Sequence, residues 1–147
     1  MASSESIVVA CDHAGLVLKQ EIVEALRELG REVEDLGTHD TSSVDYPDYA
    51  HRASSLVAEG KHAFAILVCG SGVGMAIAAN KVAGARAVVC SEPYSAAMAR
   101  RHNDANVLCL GARVVGPGLA REILDAFLRQ RFEGGRHQRR VDKLESC

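Results

Sequence analysis

Five short β-rich runs, at residues 7–11, 32–36 (the weakest, with three carboxylates), 63–69, 85–90 and 106–110, are each followed by a segment with helical spacing. The first such segment, about 16–29, puts Leu18, Ile22, Leu26 and Leu29 on one face and Lys19, Glu21, Glu24, Arg27 and Glu28 elsewhere. The others lie near 48–59, through 76–81, at 93–101 and at about 119–132, where Ile123, Leu124, Phe127 and Leu128 recur at helical spacing. Gly30 and Gly60 stop two of them, and Pro93 suits a first turn. Strands that alternate with helices pair in parallel through right-handed crossovers, which puts helices on both faces of the sheet. The expectation is an α/β protein with a five-stranded parallel sheet. Residues 1–6 form a polar, acidic tail, 7–133 a single domain, and 134–147 a basic segment that turns helical from about His137.

Composition excludes several classes. The chain has 147 residues, enough for one domain with a substantial core. Its net charge of −2, with three Phe, three Tyr and no Trp, argues against a nucleic-acid binder. No apolar run approaches the ~20 residues of a membrane span. The start lacks the cationic and apolar regions of a signal peptide. The five cysteines, Cys11, Cys69, Cys90, Cys109 and Cys147, are odd in number and lack CxxC spacing. This pattern predicts reduced thiols in a cytoplasmic protein.

The richest stretch runs from Ile66 to Met75, where a strand delivers Cys69 to a sheet edge and the chain breaks into Gly70-Ser71-Gly72-Val73-Gly74 before a helix through 76–81. Glycines let backbone N–H groups turn inward as an anion hole, and the helix end adds positive potential. The same field favours a thiolate, so Cys69 is a candidate base or nucleophile. The alternative is a core cysteine beside a phosphate loop. Ligands bind outside the carboxyl ends of strands in such sheets, and Asp12-His13, Cys69 and Cys90-Ser91-Glu92 fall there. The end of the helix after the fourth strand, Arg101-His102-Asn103-Asp104, is expected at the same place. Arg136 and Arg140 are four apart, so on a helix they share a face suited to a phosphate dianion. A dinucleotide reading of Gly70-x-Gly72, with Glu92 on a ribose, fails at Met75, where a third Gly or Ala is wanted. No pair of His, Cys or carboxylate residues shows ligand spacing, so no metal is expected.

Taken together, Cys-Asp-His-Ala-Gly (11–15), Val-Asp-Tyr-Pro-Asp-Tyr-Ala (44–50), Cys-Gly-Ser-Gly-Val-Gly-Met (69–75), Ala-Asn-Lys (79–81), Arg-Ala-Val-Val-Cys-Ser-Glu-Pro-Tyr-Ser (86–95), Arg-His-Asn-Asp-Ala-Asn-Val-Leu (101–108), Gly-Ala-Arg-Val-Val-Gly (111–116) and Glu-Gly-Gly-Arg-His (133–137) resemble the type B ribose-5-phosphate isomerases, in that family's order. The resemblance implies a Rossmann-like three-layer α/β/α sandwich. It also implies interconversion of ribose 5-phosphate and ribulose 5-phosphate, a pentose phosphate pathway step, without metal or organic cofactor. It further implies a homodimer with each site shared between subunits; pairing of dimers into tetramers stays open. By resemblance Cys69 is the base, and Gly70, Ser71, Gly72, Val73 and Gly74 form the loop that holds the enediolate oxygen. His102 assists ring opening, while Asp12, Tyr46 and Asn103 contact sugar hydroxyls. His13, Arg113, Arg136 and Arg140 bind phosphate. One branch of the family instead carries a glutamate base at position 75; Met75 cannot ionise, consistent with a cysteine base. The rivals are an isomerase of a six-carbon sugar phosphate, such as galactose 6-phosphate or allose 6-phosphate, and a non-catalytic sugar-phosphate binder.

Overall fold

The computed structural model describes residues 6–147. Strand β1 (Ser6–Cys11) starts at a residue assigned to the tail; residues 1–5 lie outside the described residues. The chain continues through α1 (Leu16–Glu28), β2 (Glu32–Asp35), α2 (Tyr46–Ala58), β3 (Phe64–Cys69), α3 (Val73–Ala79), β4 (Ala87–Val89), α4 (Pro93–Asn103), β5 (Val107–Gly111), α5 (Pro117–Leu128) and α6 (Arg136–Glu145). The sheet is entirely parallel, in the order β2-β1-β3-β5-β4. From β1 the chain passes to β2 on one side and later to β3 on the other, so the order reverses between β1 and β3. Among the described residues, no helix is long and apolar enough to cross a membrane.

Each inner strand is buried on both faces, which is why it reads as a continuous apolar run and not as an alternating one. Ile7, Val9, Ile66, Val68, Leu108 and Leu110 point into a core with the Leu, Ile and Phe side chains of α1 and α5. Val8, Ala10, Ala65, Leu67, Cys69 and Cys109 point to the other face, against α2 and α3. Small residues dominate there (Ala50, Ala53, Ala76, Ala79), so those two helices approach the sheet closely. That face carries the thiol of Cys69.

Several boundaries differ from the sequence expectation. β4 is shorter than 85–90 because it is a sheet edge. There the Asn80 side chain takes a strand's place, donating to the Ala87 carbonyl at 2.9 Å and accepting from its N–H at 2.8 Å. α2 begins at Tyr46, since Pro47 is tolerated in a first turn. α3 begins at Val73, so Val73 and Gly74 are helical, not loop. α5 ends at Leu128, four residues early, and α6 starts at Arg136.

One buried charge positions the loop after β2. Lys19, 2% exposed, donates to the Asp35 carboxylate at 2.8 and 3.0 Å and to the Thr38 carbonyl at 2.9 Å. Asp35 is partly exposed, but its loss would leave the buried Lys19 ammonium with only the Thr38 carbonyl, so α1 and this loop are locked together.

Candidate active site

Strand register brings one group of residues to the carboxyl edge. Cys11 pairs with Val68 and Cys69 with Gly111, so β1, β3 and β5 end level. Asp12 continues the ladder by donating its N–H to the Val68 carbonyl at 3.2 Å. Its carboxylate is turned back, accepting from the N–H groups of Ala14 (3.0 Å) and Gly15 (3.2 Å). His13 accepts the Val44 N–H on Nδ1 at 3.2 Å, which leaves the proton of its neutral ring on Nε2, free to donate. That contact also hangs the loop before α2 on the site.

The glycine turn is shaped by close approach. Gly72 sits at φ +79°, a left-handed conformation, and a Cβ there would lie 2.9 Å from the Leu110 carbonyl carbon. A Cβ on Gly74 would lie 2.6 Å from the Tyr46 ring, and one on Gly70 would lie 2.8 Å from Arg113 Nη1. The absent side chains therefore seat the phenol of Tyr46 and the guanidinium of Arg113 directly on the turn. Gly72 donates its N–H to Cys69 Sγ at 3.2 Å, a contact that complements negative charge on sulfur. Ser71 Oγ accepts from the Val73 N–H at 3.3 Å, so its own hydrogen is free to be donated. The first-turn N–H groups of α3 have no acceptor within the helix.

Cys11, Cys90 and Cys109 are held as thiols by burial. All five cysteines are free. Burial raises the thiol pKa of Cys11 to about 11, and burial followed by the Glu92 charge does the same for Cys90. Cys109 is raised well above its ordinary value, again chiefly by burial. Glu92 caps α4, accepting the Ser95 N–H at 2.9 and 3.1 Å. Its carboxylate is thus engaged locally and not presented to a ribose.

A second group lies elsewhere, and here the sequence expectation needs correction. The end of α4 is not at the carboxyl edge. A crossover helix starts where its strand ends and runs back, so His102 and Asn103 reach the opposite edge. Arg100 lies over the ring of Phe64, the first residue of β3, at 4.7 Å. Arg86, just before β4, donates to the Asp104 carbonyl at 2.9 Å. Asn103 lines a cleft with Gly84, Arg86 and Glu145. Five residue steps along β3 separate the two edges, about 16 Å. α6 packs against α4, so Arg136 and Arg140, both exposed, share the edge with His102. Within one chain, Cys69, Ser71, Asp12, His13, Tyr46 and Arg113 therefore lie in one group at the carboxyl edge, and His102, Asn103, Arg136 and Arg140 in another at the opposite edge.

Three residues around His102, namely Arg101, Glu133 and His137, carry no assigned role in the sequence motifs that contain them. The His102 and His137 rings stack at 4.2 Å, nearly parallel, and Glu133 Oε1 lies 3.6 Å from His102 Nε2 and 3.7 Å from His137 Nε2. Arg101 Nε binds the other oxygen of Glu133, and that hydrogen bond is the first cause holding the carboxyl below its ordinary range. The absence of ligand spacing in the sequence thus overlooked this cluster. His102 joins it from 31 positions before Glu133, and the four-residue step from Glu133 to His137 crosses the Gly-Gly break.

A parallel sheet with a thiol and an amide turn at its switch point defines a small-molecule enzyme of the doubly wound class. The Ribose/Galactose Isomerase family model matches residues 7–144. The chain is 55% identical over 140 residues to ribose-5-phosphate isomerase B of Escherichia coli (strain K12), covering 95% of this chain and 94% of that protein. The Clostridium thermocellum ribose-5-phosphate isomerase B structure superposes with a TM-score of 0.94 at 49% identity, covering 96% of this chain and 95% of that one. A Mycoplasma genitalium ribose-5-phosphate isomerase B structure with bound ribulose-5-phosphate gives 0.92 at 44% identity, covering 96% and 94%. The chain belongs to the ribose/galactose isomerase family.

Cys69 and Cys90 are equally exposed, at 4% each, so exposure cannot rank their reactivity. The raised pKa of Cys90 and the amide on Cys69 predict that iodoacetamide at pH 8 alkylates Cys69 well before Cys90. Peptide mass spectrometry over time checks this, and equal rates would show that the Gly72 N–H does not activate the Cys69 sulfur.

Proposed function

We propose that this chain interconverts ribose 5-phosphate and ribulose 5-phosphate through an enediolate, with Cys69 as the base. The observation that carries the reading is the Gly72 N–H on Cys69 Sγ at the mouth of the amide turn, with Arg113 seated on Gly70. Aldose–ketose isomerisation requires a base, stabilisation of an enediolate and an open ring, and these residues supply the first two. The Cys69 thiolate takes the proton from C2 of the open-chain aldose. The C–H electron pair moves into a C1–C2 double bond, and the C1 carbonyl oxygen becomes an oxyanion held by turn amides. One such donor is typically worth about 3–4 kcal/mol of barrier. The Cys69 thiol then returns its proton to C1 as the carbonyl forms at C2, and Ser71 Oγ–H relays a proton between O1 and O2.

Ring opening comes from the other group. Because His102 and Asn103 lie at the edge opposite to Cys69, with the length of β3 (about 16 Å) between the two edges, a complete site needs two chains. In a homodimer, the partner's His102 opens the furanose and the partner's Asn103 holds a hydroxyl. Phosphate is then clamped by His13 and Arg113 of one chain and by the partner's Arg136 and Arg140. A remote phosphate gives binding energy that aligns C1 and C2 with the base.

The direct test follows ribulose 5-phosphate formation from ribose 5-phosphate with EDTA present. Turnover is expected, and a higher kcat/KM on galactose 6-phosphate or allose 6-phosphate would replace this substrate with a six-carbon one. Cys69→Ala is expected to lower kcat at least ~100-fold, the low end of general-base catalysis, at unchanged thermal stability. Retention of a tenth of the activity would remove Cys69 as the base.

His102→Asn separates ring opening from proton transfer. Turnover of cyclic ribose 5-phosphate should fall more than solvent-deuterium exchange into ribulose 5-phosphate, which cannot close to a furanose. Equal losses would remove His102 from ring opening.

A further inference from the structure

Glu133, His137 and His102 are brought together by two separate pieces of backbone. The Glu133 N–H donates to the Arg101 carbonyl at 3.0 Å, and α6 begins three residues later, carrying His137 back over the end of α4. Among the described residues, this is the cluster whose ligand atoms, two Nε2 and one carboxylate oxygen, all lie within 4.8 Å of one another. Neither imidazole is within hydrogen-bonding distance of Glu133 Oε1, at 3.6 and 3.7 Å, so the three atoms surround a gap. A tetrahedral zinc ion with bonds of about 2.0–2.2 Å sets its ligand atoms about 3.4 Å apart. The two His–Glu separations are already within a few tenths of an ångström of that value. The two rings stack nearly parallel, so an ion shared by both Nε2 atoms requires one ring to turn out of the stack.

The cluster is also prepared chemically. Arg101 fixes one oxygen of Glu133 and leaves Oε1 facing both rings. His137 is 8% exposed and its ring is held against that of His102, which keeps its Nε2 close to Glu133 Oε1. Arg101, Arg136 and Arg140 add positive charge nearby. The site therefore discriminates against hard, weakly bound cations such as Mg2+ and selects ions with high imidazole affinity.

We infer that His102, Glu133 and His137 form a three-ligand site for Zn2+ or a similar divalent transition metal, whose occupation inhibits isomerisation by capturing Nε2 of His102. The inhibitory half of this inference rests on the proposed role of His102 in ring opening; the binding half does not. Three protein ligands leave a fourth position open to water.

The test uses full-length Cys147→Ser protein, so that the exposed terminal thiol cannot compete, and Zn2+ titrated against a chromophoric chelator. One ion per chain is expected. His137→Gln and Glu133→Gln should each weaken Zn2+ by more than about 100-fold, beyond the ~10–100-fold loss typical of an outer-shell partner. Co2+ in place of Zn2+ should give ligand-field bands without a thiolate charge-transfer band. In the ribose 5-phosphate assay, Zn2+ should inhibit, EDTA should reverse it, and folded His137→Gln protein should need correspondingly more Zn2+. Affinity unchanged in both variants, no binding to the parent protein, or a thiolate band pointing to Cys69 would each overturn the site. Binding as described without inhibition of an active isomerase would overturn the inhibitory role alone. Binding as described to a protein inactive on ribose 5-phosphate would leave the site standing and count against the proposed reaction.

Discussion

The direction of the chain through a parallel sheet governs the rest of this structure. Every strand runs toward one edge, and every crossover helix carries the chain back to the other. Groups at strand ends and groups at helix ends are therefore held apart by the length of a strand. Cys69, Asp12 and the glycine turn belong to the first kind, and His102 and Asn103 to the second. That separation makes the catalytic reading a reading about two chains.

Within the group at the carboxyl edge, backbone packing does the positioning. Gly70, Gly72 and Gly74 differ in what their missing side chains admit: a guanidinium, the end of β5, and a phenol ring. The turn is pressed onto β5 at Gly111, where a Cβ would meet the Ser71 carbonyl at 2.6 Å. Substituting any of these positions moves a charged or aromatic partner along with the turn. The Lys19–Asp35 pair plays the same part beneath the loop that reaches His13 through the Val44 N–H. Rigid elements thus hold a site made largely of turn and loop residues.

Much of this was legible in the sequence. The strands could be read because burial on both faces gives unbroken apolar runs such as 64–69. Cys69, the glycine turn and Asp12-His13 could be located because strand ends are marked by where those runs stop. Tyr46 and Arg113 came only from family resemblance, since their placement depends on space vacated by glycines far away in sequence. His102 follows a strand closely in sequence, but α4 runs back along the sheet and carries it to the opposite edge. The His102–Glu133–His137 cluster was invisible to spacing, being assembled by packing of α6 on α4. Edge effects, such as Asn80 standing in for a strand beside β4, shortened elements that composition alone would extend.

The central claim is that one chain supplies the base and its partner the ring-opening and phosphate groups. Cys69→Ala protein mixed with an Arg136→Ala, Arg140→Ala double variant, under demonstrated subunit exchange, tests it most directly. Random exchange should restore about a quarter of wild-type activity, since half the dimers are mixed and each holds one intact site of two. Cys69→Ala mixed with Asp12→Ala, both damaged in the same half-site, should restore none. Verified exchange with no recovery in the first mixture, or equal recovery in both, would contradict a site shared between chains.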